Sequence, residues 1–165
     1  MSKVKSFFYL FSVLFLVWLG FTATFQLQEL ALGLTLSFLL SLIFYKTYVN
    51  IGFPPLGIKR FVFALIYIIV VFKEIVKANL DVAYRAVHPK IPINPGIVII
   101  RTNLNGDVAK TVLANSITLT PGTFTLDVIG DRLLIHWINV ESKSEEEATK
   151  LIGERFERYL RIIFA

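Results

Sequence analysis

Cysteine is absent from the 165 residues, and from Ser6 to Tyr45 a single side chain, Glu29, is charged. The first absence excludes disulfides, thiolate metal sites and cysteine nucleophiles, and says nothing of compartment. The second excludes a soluble N-terminal domain, since no soluble core needs so long an uncharged run. A bilayer core about 30 Å thick asks for roughly 20 apolar residues per helix. Phe7–Phe25 and Leu30–Tyr48 each meet that length, with Gln26, Leu27, Gln28 and Glu29 as a polar joint. Residues 1–50 therefore read as a transmembrane hairpin with spans at about 7–25 and 30–48. The composition agrees: 55% hydrophobic residues, 14% aromatic and a mean hydropathy of +0.67 are high for a soluble domain. A cleaved secretory signal fits poorly, because its apolar region would be too long and a second apolar run comes after a short break.

The net charge of +5 is unevenly placed. Residues 1–87 hold Lys3, Lys5, Lys46, Lys59, Arg60, Lys73, Lys77 and Arg85 against Glu29, Glu74 and Asp81; residues 88–165 are balanced at nine and nine. The whole excess lies in the membrane-proximal part. That pattern suits anchoring against anionic lipid and setting of topology, and it disfavours nucleic acid as a partner.

Pro54-Pro55 with Gly52 and Gly57 separates the second span from the rest of the chain, giving a loop over 51–60. Ile58–Val87 then reads as one long helix, apolar over Phe61–Phe72 and amphipathic beyond. Lys73, Lys77, Asp81 and Arg85 form one stripe; Phe72, Ile75, Val76, Leu80, Ala83 and Val87 form the opposing one. Positive-inside counting puts Lys3 and Lys5 inside, the 26–29 joint outside and Lys46, Lys59 and Arg60 inside again. A third full crossing would drag Lys73, Lys77 and Arg85 through the bilayer. Two spans plus an interfacial or steeply tilted third helix is the preferred topology, with the N-terminus and the C-terminal domain cytoplasmic.

Three prolines and a glycine make 88–96 a stiff linker, and 97–165 a small α+β domain of order β-α-β-β-α. Its expected elements are a strand at Ile97–Arg101, a helix at Val108–Asn115 capped by Asp107, and strands at Thr123–Ile129 and Arg132–Val140 joined by Gly130-Asp131. The last helix opens on a Ser144…Glu147 capping box and buries Ala148, Leu151, Ile152, Phe156, Tyr159, Leu160 and Ile163.

Catalytic constellations and cofactor motifs are missing. The sequence carries no P-loop, glycine-rich dinucleotide fingerprint or Ser-His-Asp ordering, and neither His88 nor His136 has companions at ligand spacing. Neither metal nor cofactor is expected, and the protein does not read as an enzyme. Ion routes through bilayers use buried ionisable groups, and the interiors of both spans lack them. Lys73, Glu74 and, further on, Asp81 are the ion-path candidates in the third helix. Small residues suited to close helix approach, Gly20, Ala23, Ala31, Gly33, Ser37 and Ser41, mark the hairpin instead.

Composition does not explain "LANSITLTPGT". Here Asn115, Ser116, Thr118, Thr120 and Thr123 are interleaved with Ile117 and Leu119 and stopped by Pro121-Gly122. The hydroxyls either satisfy a helix end before a turn or present a docking surface. This stretch, with "TLDV", "LLIHWI", the preceding "KANLDVAYRAVHPKIPINPGIVIIRT" and the closing "FERYLRIIF", resembles the E subunit of the multisubunit Mrp-type Na⁺/H⁺ antiporters. The resemblance covers nearly the whole chain. It implies a small accessory, non-catalytic subunit of a plasma-membrane cation/proton antiporter, with other antiporter subunits as partners. Homologous modules occur in membrane-bound hydrogenase-type respiratory complexes, so the resemblance fits either setting. Two other readings stay open: direct participation in ion translocation at a subunit interface, and a membrane-anchored ligand-binding domain.

Overall fold

The computed structural model describes residues 3–51 and 57–165; the expected break at Gly52, Pro54 and Pro55 lies outside them. The chain forms two compact units, residues 1–55 and 56–165.

The first unit is a helical hairpin, α1 (Lys3–Thr22) and α2 (Leu27–Ile51). Both helices are long and apolar enough to cross a membrane. The joint falls three residues earlier than the polar quartet suggests. Ala23, at φ 48°, leaves the helix, Gln26 N–H reaches Thr24 Oγ1 at 3.4 Å, and Leu27, Gln28 and Glu29 already form the first turn of α2. The reason is electrostatic as well as steric, because an acid in the first turn meets the positive end of the helix dipole. Gly33, Ser37 and Ser41 form a buried stripe at spacings of four. A Cβ on Gly33 would sit 2.3 Å from Trp18 Cδ1, so only glycine lets that indole in. Trp18 Nε1 then donates to the Glu29 carbonyl at 3.1 Å. Phe7 and Phe11 meet Phe38 edge-on at 5.6 and 6.5 Å. Gly20, Ala23 and Ala31 are exposed and take no part in this contact.

The second unit begins with α3 (Ile58–Val87), continuous over the whole expected range. A single sheet comes next, built from β1 (Gly96–Arg101), β2 (Thr123–Ile129) and β3 (Arg132–Trp137) in the order β1-β3-β2, antiparallel throughout. Between β1 and β2 lies α4 (Asp107–Leu119); after β3 come α5 (Glu145–Ala148), a π-turn (Thr149–Gly153) and α6 (Glu154–Ile163). Strand alternation sends Val98, Ile100, Leu133 and Ile135 into the core. There they meet Leu113 and Ile117 of α4 and Ile152, Phe156 and Leu160 of the last helix.

Four details depart from expectation. The α4 helix runs on to Leu119, because its hydroxyls bond back within it: Ser116 Oγ to the Val112 carbonyl at 2.8 Å and Thr120 Oγ1 to that of Ser116 at 2.8 Å. Its N-cap is Gly106 at φ 85°, and Asp107 is already inside the helix. The Ser144 side chain makes no capping bond; instead Ser142 Oγ donates to the Glu147 carboxylate and receives the Ser144 N–H. Finally β3 stops at Trp137, and beyond it Asn94 of the linker bridges to the chain through the Ile138 and Val140 carbonyls.

The π-turn has a readable cause. Ala148, Ile152, Phe156 and Leu160 are all fully buried at spacings of four. On a 3.6-residue helix each such step overshoots by about 40°. One wide turn returns the phase, keeping all four inward and leaving Leu151 45% exposed, outside the expected apolar stripe.

Candidate functional site

The α3 helix packs its whole inner side onto the domain. Arg60 donates to the Ala165 carbonyl at one end. In the middle Tyr67, 8% exposed, puts its hydroxyl 2.5 Å from Ser116 Oγ and its ring edge-on to Phe156 at 6.5 Å. Glu74 pairs with Arg155 at 2.9 Å. Near the other end Val82 approaches the glycine turn after α4, and Arg85 clasps Asp81 at 2.7 Å while donating to the Pro92 carbonyl at 2.6 Å.

This packing creates a cleft of about 290 Å³ between α3 and the domain. Glu74, Lys77, Asp81 and Arg85 line one wall; Thr120, Pro121, Gly122 and Thr123 line another; Arg155 and the Trp137–Asn139 segment close it. Two groups of residues that the sequence holds some forty positions apart thus face one space. Lys73 does not join them; it is exposed on the outer side of α3.

The signature segment is turned largely inward. Ser116 and Thr120 are buried, Thr123 Oγ1 donates to the Ile117 and Thr120 carbonyls at 2.7 and 2.9 Å, and Thr118 Oγ1 accepts the Thr125 N–H at 3.1 Å. Asn115 is exposed. These hydroxyls close the C-terminal end of α4, whose last carbonyls lack helical partners. Gly122 sits at φ 90° with the site of a Cβ 2.9 Å from Ile138 Cγ2, and its carbonyl accepts the Ile138 N–H at 2.8 Å. The "TPGT" turn is therefore a joint between α4, β2 and the end of β3.

In the cleft Glu74 pairs with Arg155 and Asp81 with Arg85, while Lys77 makes no ion pair among the described residues. Burial lowers the Arg155 pKa from its ordinary value, while the Glu74 carboxylate acts in the opposite direction. The Arg155 guanidinium also lies 5.0 Å over the Phe156 ring, and its Nε is a buried donor without an acceptor among the described residues. A second cleft, about 460 Å³, lies by the π-turn and is lined by Arg101, Glu145, Glu157 and Arg161 among others. Glu157, 2% exposed, receives the Asn103 N–H at 2.9 Å and Arg161 at 2.8 Å, and Arg101 pairs with Glu145. Among the described residues no three His, Asp or Glu side chains group as metal ligands. His88 accepts the Lys90 N–H at 3.2 Å, and His136 is exposed on the open sheet face, in register with Ile97 and Phe124.

The sequence pattern did not single out Tyr67 or Arg155. The one signal for Tyr67 was its hydroxyl, the only polar group in the Phe61–Phe72 run; for Arg155 there was none.

A family model described as Na⁺/H⁺ ion antiporter subunit matches residues 11–163. This chain belongs to the family of Na⁺/H⁺ antiporter E subunits. The curated relatives include the antiporter E1 subunit of Staphylococcus haemolyticus, 32% identical over 154 residues, covering 90% of this chain and 91% of that one. The antiporter E subunit of Alkalihalophilus pseudofirmus is 29% identical over 147 residues, covering 88% and 90%. Among solved structures, a chain of the membrane-bound sulfane sulfur reductase, an archaeal respiratory membrane complex, is 47% identical. It superposes with a TM-score of 0.81 over 96% of this chain and 98% of its own. The family is one of transporter subunits, and the two apolar helices of this member carry its membrane character.

Proposed function

We propose that this protein is an accessory, non-catalytic component of a multisubunit Na⁺/H⁺ antiporter, or of the antiporter module of a respiratory membrane complex. Its partners are the other subunits, and its work is assembly and stability. The observation that carries this reading is the contrast between the two units. The hairpin has uncharged interiors and a close Gly33–Trp18 contact, which suits packing and offers an ion no replacement for its water. The carboxylate of Glu74 is spent on Arg155 of the domain, and Arg85, held by Asp81 on its own helix, donates to the Pro92 carbonyl of the linker.

The topology proposed with it is multi-pass in the plasma membrane. Two spans are followed by a third helix that does not cross, and the N-terminus and C-terminal domain are cytoplasmic. Support comes from the basic flanks and from α3 itself. A helix bonded to the domain from Arg60 through Tyr67 to Glu74 cannot cross a bilayer without taking the domain along.

Deleting this subunit and resolving mild-detergent membranes by native electrophoresis tests the proposal. Loss of the large complex is expected, with antiport lost alongside it. An intact complex lacking only this chain would overturn the assembly role. Glu74→Gln in the assembled complex should retain Na⁺/H⁺ antiport; loss of antiport with assembly intact would instead place Glu74 on the ion path.

A further inference from the structure

We propose that the outward face of α3 is a docking surface for anionic phospholipid, resting on the reading of this chain as a membrane subunit. One side of this helix meets the core of the domain through Tyr67 and Val71; the other side is apolar and exposed. Ile68, Ile69 and Phe72 are 63%, 67% and 67% exposed, and Phe61, Leu65 and Val76 continue the same face. A water-facing helix reverses that pattern, with polar residues outward.

Charge identifies the occupant. Lys59 and Lys77 are about five turns apart and Lys73 one turn before Lys77, so the three lie along one border of the apolar face, Lys77 where that border meets the cleft. All three are exposed, and none makes an ion pair or hydrogen bond among the described residues. Long lysine stems let the charge reach the phosphates while the stem stays on apolar surface. An apolar face with a basic border is the form that lies in the headgroup layer and responds to anionic lipid.

Two further features favour lipid over a neighbouring subunit. Helices that pack on helices inside a bilayer expose small residues at the contact, as α2 does with Gly33, Ser37 and Ser41. The outward face of α3 from Phe61 to Leu80 offers phenylalanine, leucine, isoleucine and valine instead. Chain length adds a constraint: only residues 52–57 separate the end of a span from the start of α3, roughly 20 Å if fully extended. The start of α3 is therefore tethered at the membrane surface. The open side of the sheet, with Ile97, Ile99 and Phe124, is also apolar. It lies across the sheet from the helices and serves as the internal control.

The cysteine-free sequence allows a direct test. Single nitroxide labels at Ile69→Cys, Phe72→Cys and Phe124→Cys are placed in the full chain within its complex. The complex is then reconstituted in nanodiscs of phosphatidylglycerol and phosphatidylcholine. Collision with dissolved oxygen and with a water-soluble nickel chelate reads the surroundings. At Ile69 and Phe72 oxygen access is expected to be high and nickel access at least fivefold below that at Phe124. Nickel access equal to Phe124, or shielding from both reagents, overturns the proposal in favour of water or a subunit. Leu65→Cys repeats the measurement should either label disturb folding. The double variant Lys73→Gln/Lys77→Gln should lose most of the enrichment of phosphatidylglycerol over phosphatidylcholine around the complex, and unchanged enrichment overturns the anionic preference. A labelled chain that purifies alone refutes the assembly reading, while its nanodisc measurement still decides this one.

Discussion

Glu74 and Arg155 are the ion pair through which α3 and the last helix hold each other, and cutting it has a calculable effect. Their side chains are 15% and 28% exposed, with N–O separation 2.9 Å. Removing one member of a fully buried pair costs about 3–5 kcal/mol, because the survivor stays desolvated without its partner. Here the cleft admits some water, so Glu74→Gln should cost about 2 kcal/mol, on the scale between exposed and buried pairs. The remaining arginine is already short of one acceptor at Nε, which argues against a smaller figure. Arg155→Met keeps apolar contact with Phe156 and leaves the carboxylate alone, at similar cost. The double variant should be no worse than the worse single, giving a coupling of at least about 2 kcal/mol. Hydrogen exchange by mass spectrometry on the full chain in detergent reads this locally. Peptides covering Arg132–Trp137 and Glu154–Ile163 should exchange about thirtyfold faster in Glu74→Gln, since about 1.4 kcal/mol is a factor of ten. Peptides of the hairpin should be unchanged. Additive singles, or a single with no effect on β3 and α6, would refute the view that this pair holds α3 to the domain.

Two further substitutions probe the same joint. Tyr67→Phe removes only the hydroxyl that meets Ser116, so the domain should lose about 1 kcal/mol of unfolding free energy in denaturant titration, whereas Tyr67→Ala should lose about 3–5 kcal/mol. Gly122→Ala must hold φ 90° and place a methyl 2.9 Å from Ile138 Cγ2; a loss of at least about 1 kcal/mol, with faster exchange at Ile138, is expected by the same methods.

Sequence periodicity was informative wherever one physical demand dominated. A bilayer's thickness sets the length of uncharged runs, so both hairpin helices were legible, and alternation over "TFTLDVI" and the turn at Gly130-Asp131 marked β2 and its partner. The full extent of α3 also emerged from its pattern. Ends of elements were less legible, because competing local bonds decide them. Ser116 and Thr120 read equally as loop or as helix until their i−4 bonds are seen, and Ser142 rather than Ser144 engages Glu147. The spacing of four along Ala148, Ile152, Phe156 and Leu160 was visible in the sequence, but only a π-turn reconciles it with one buried face.

By itself, then, the sequence determined that this protein has an uncharged hairpin of membrane-spanning length, a basic membrane-proximal half and an α+β domain. Each of these comes from residue type and spacing, which local geometry and solvent preference translate directly. What the tertiary structure decided is which side of α3 is inside. Both stripes of that helix are largely apolar over Phe61–Phe72, so hydropathy cannot choose between them. The choice falls to long-range partners, Ser116, Phe156 and Arg155, that lie fifty to ninety residues away in sequence. They claim Tyr67 and Glu74 for the domain and leave Ile68, Ile69 and Phe72 facing outward.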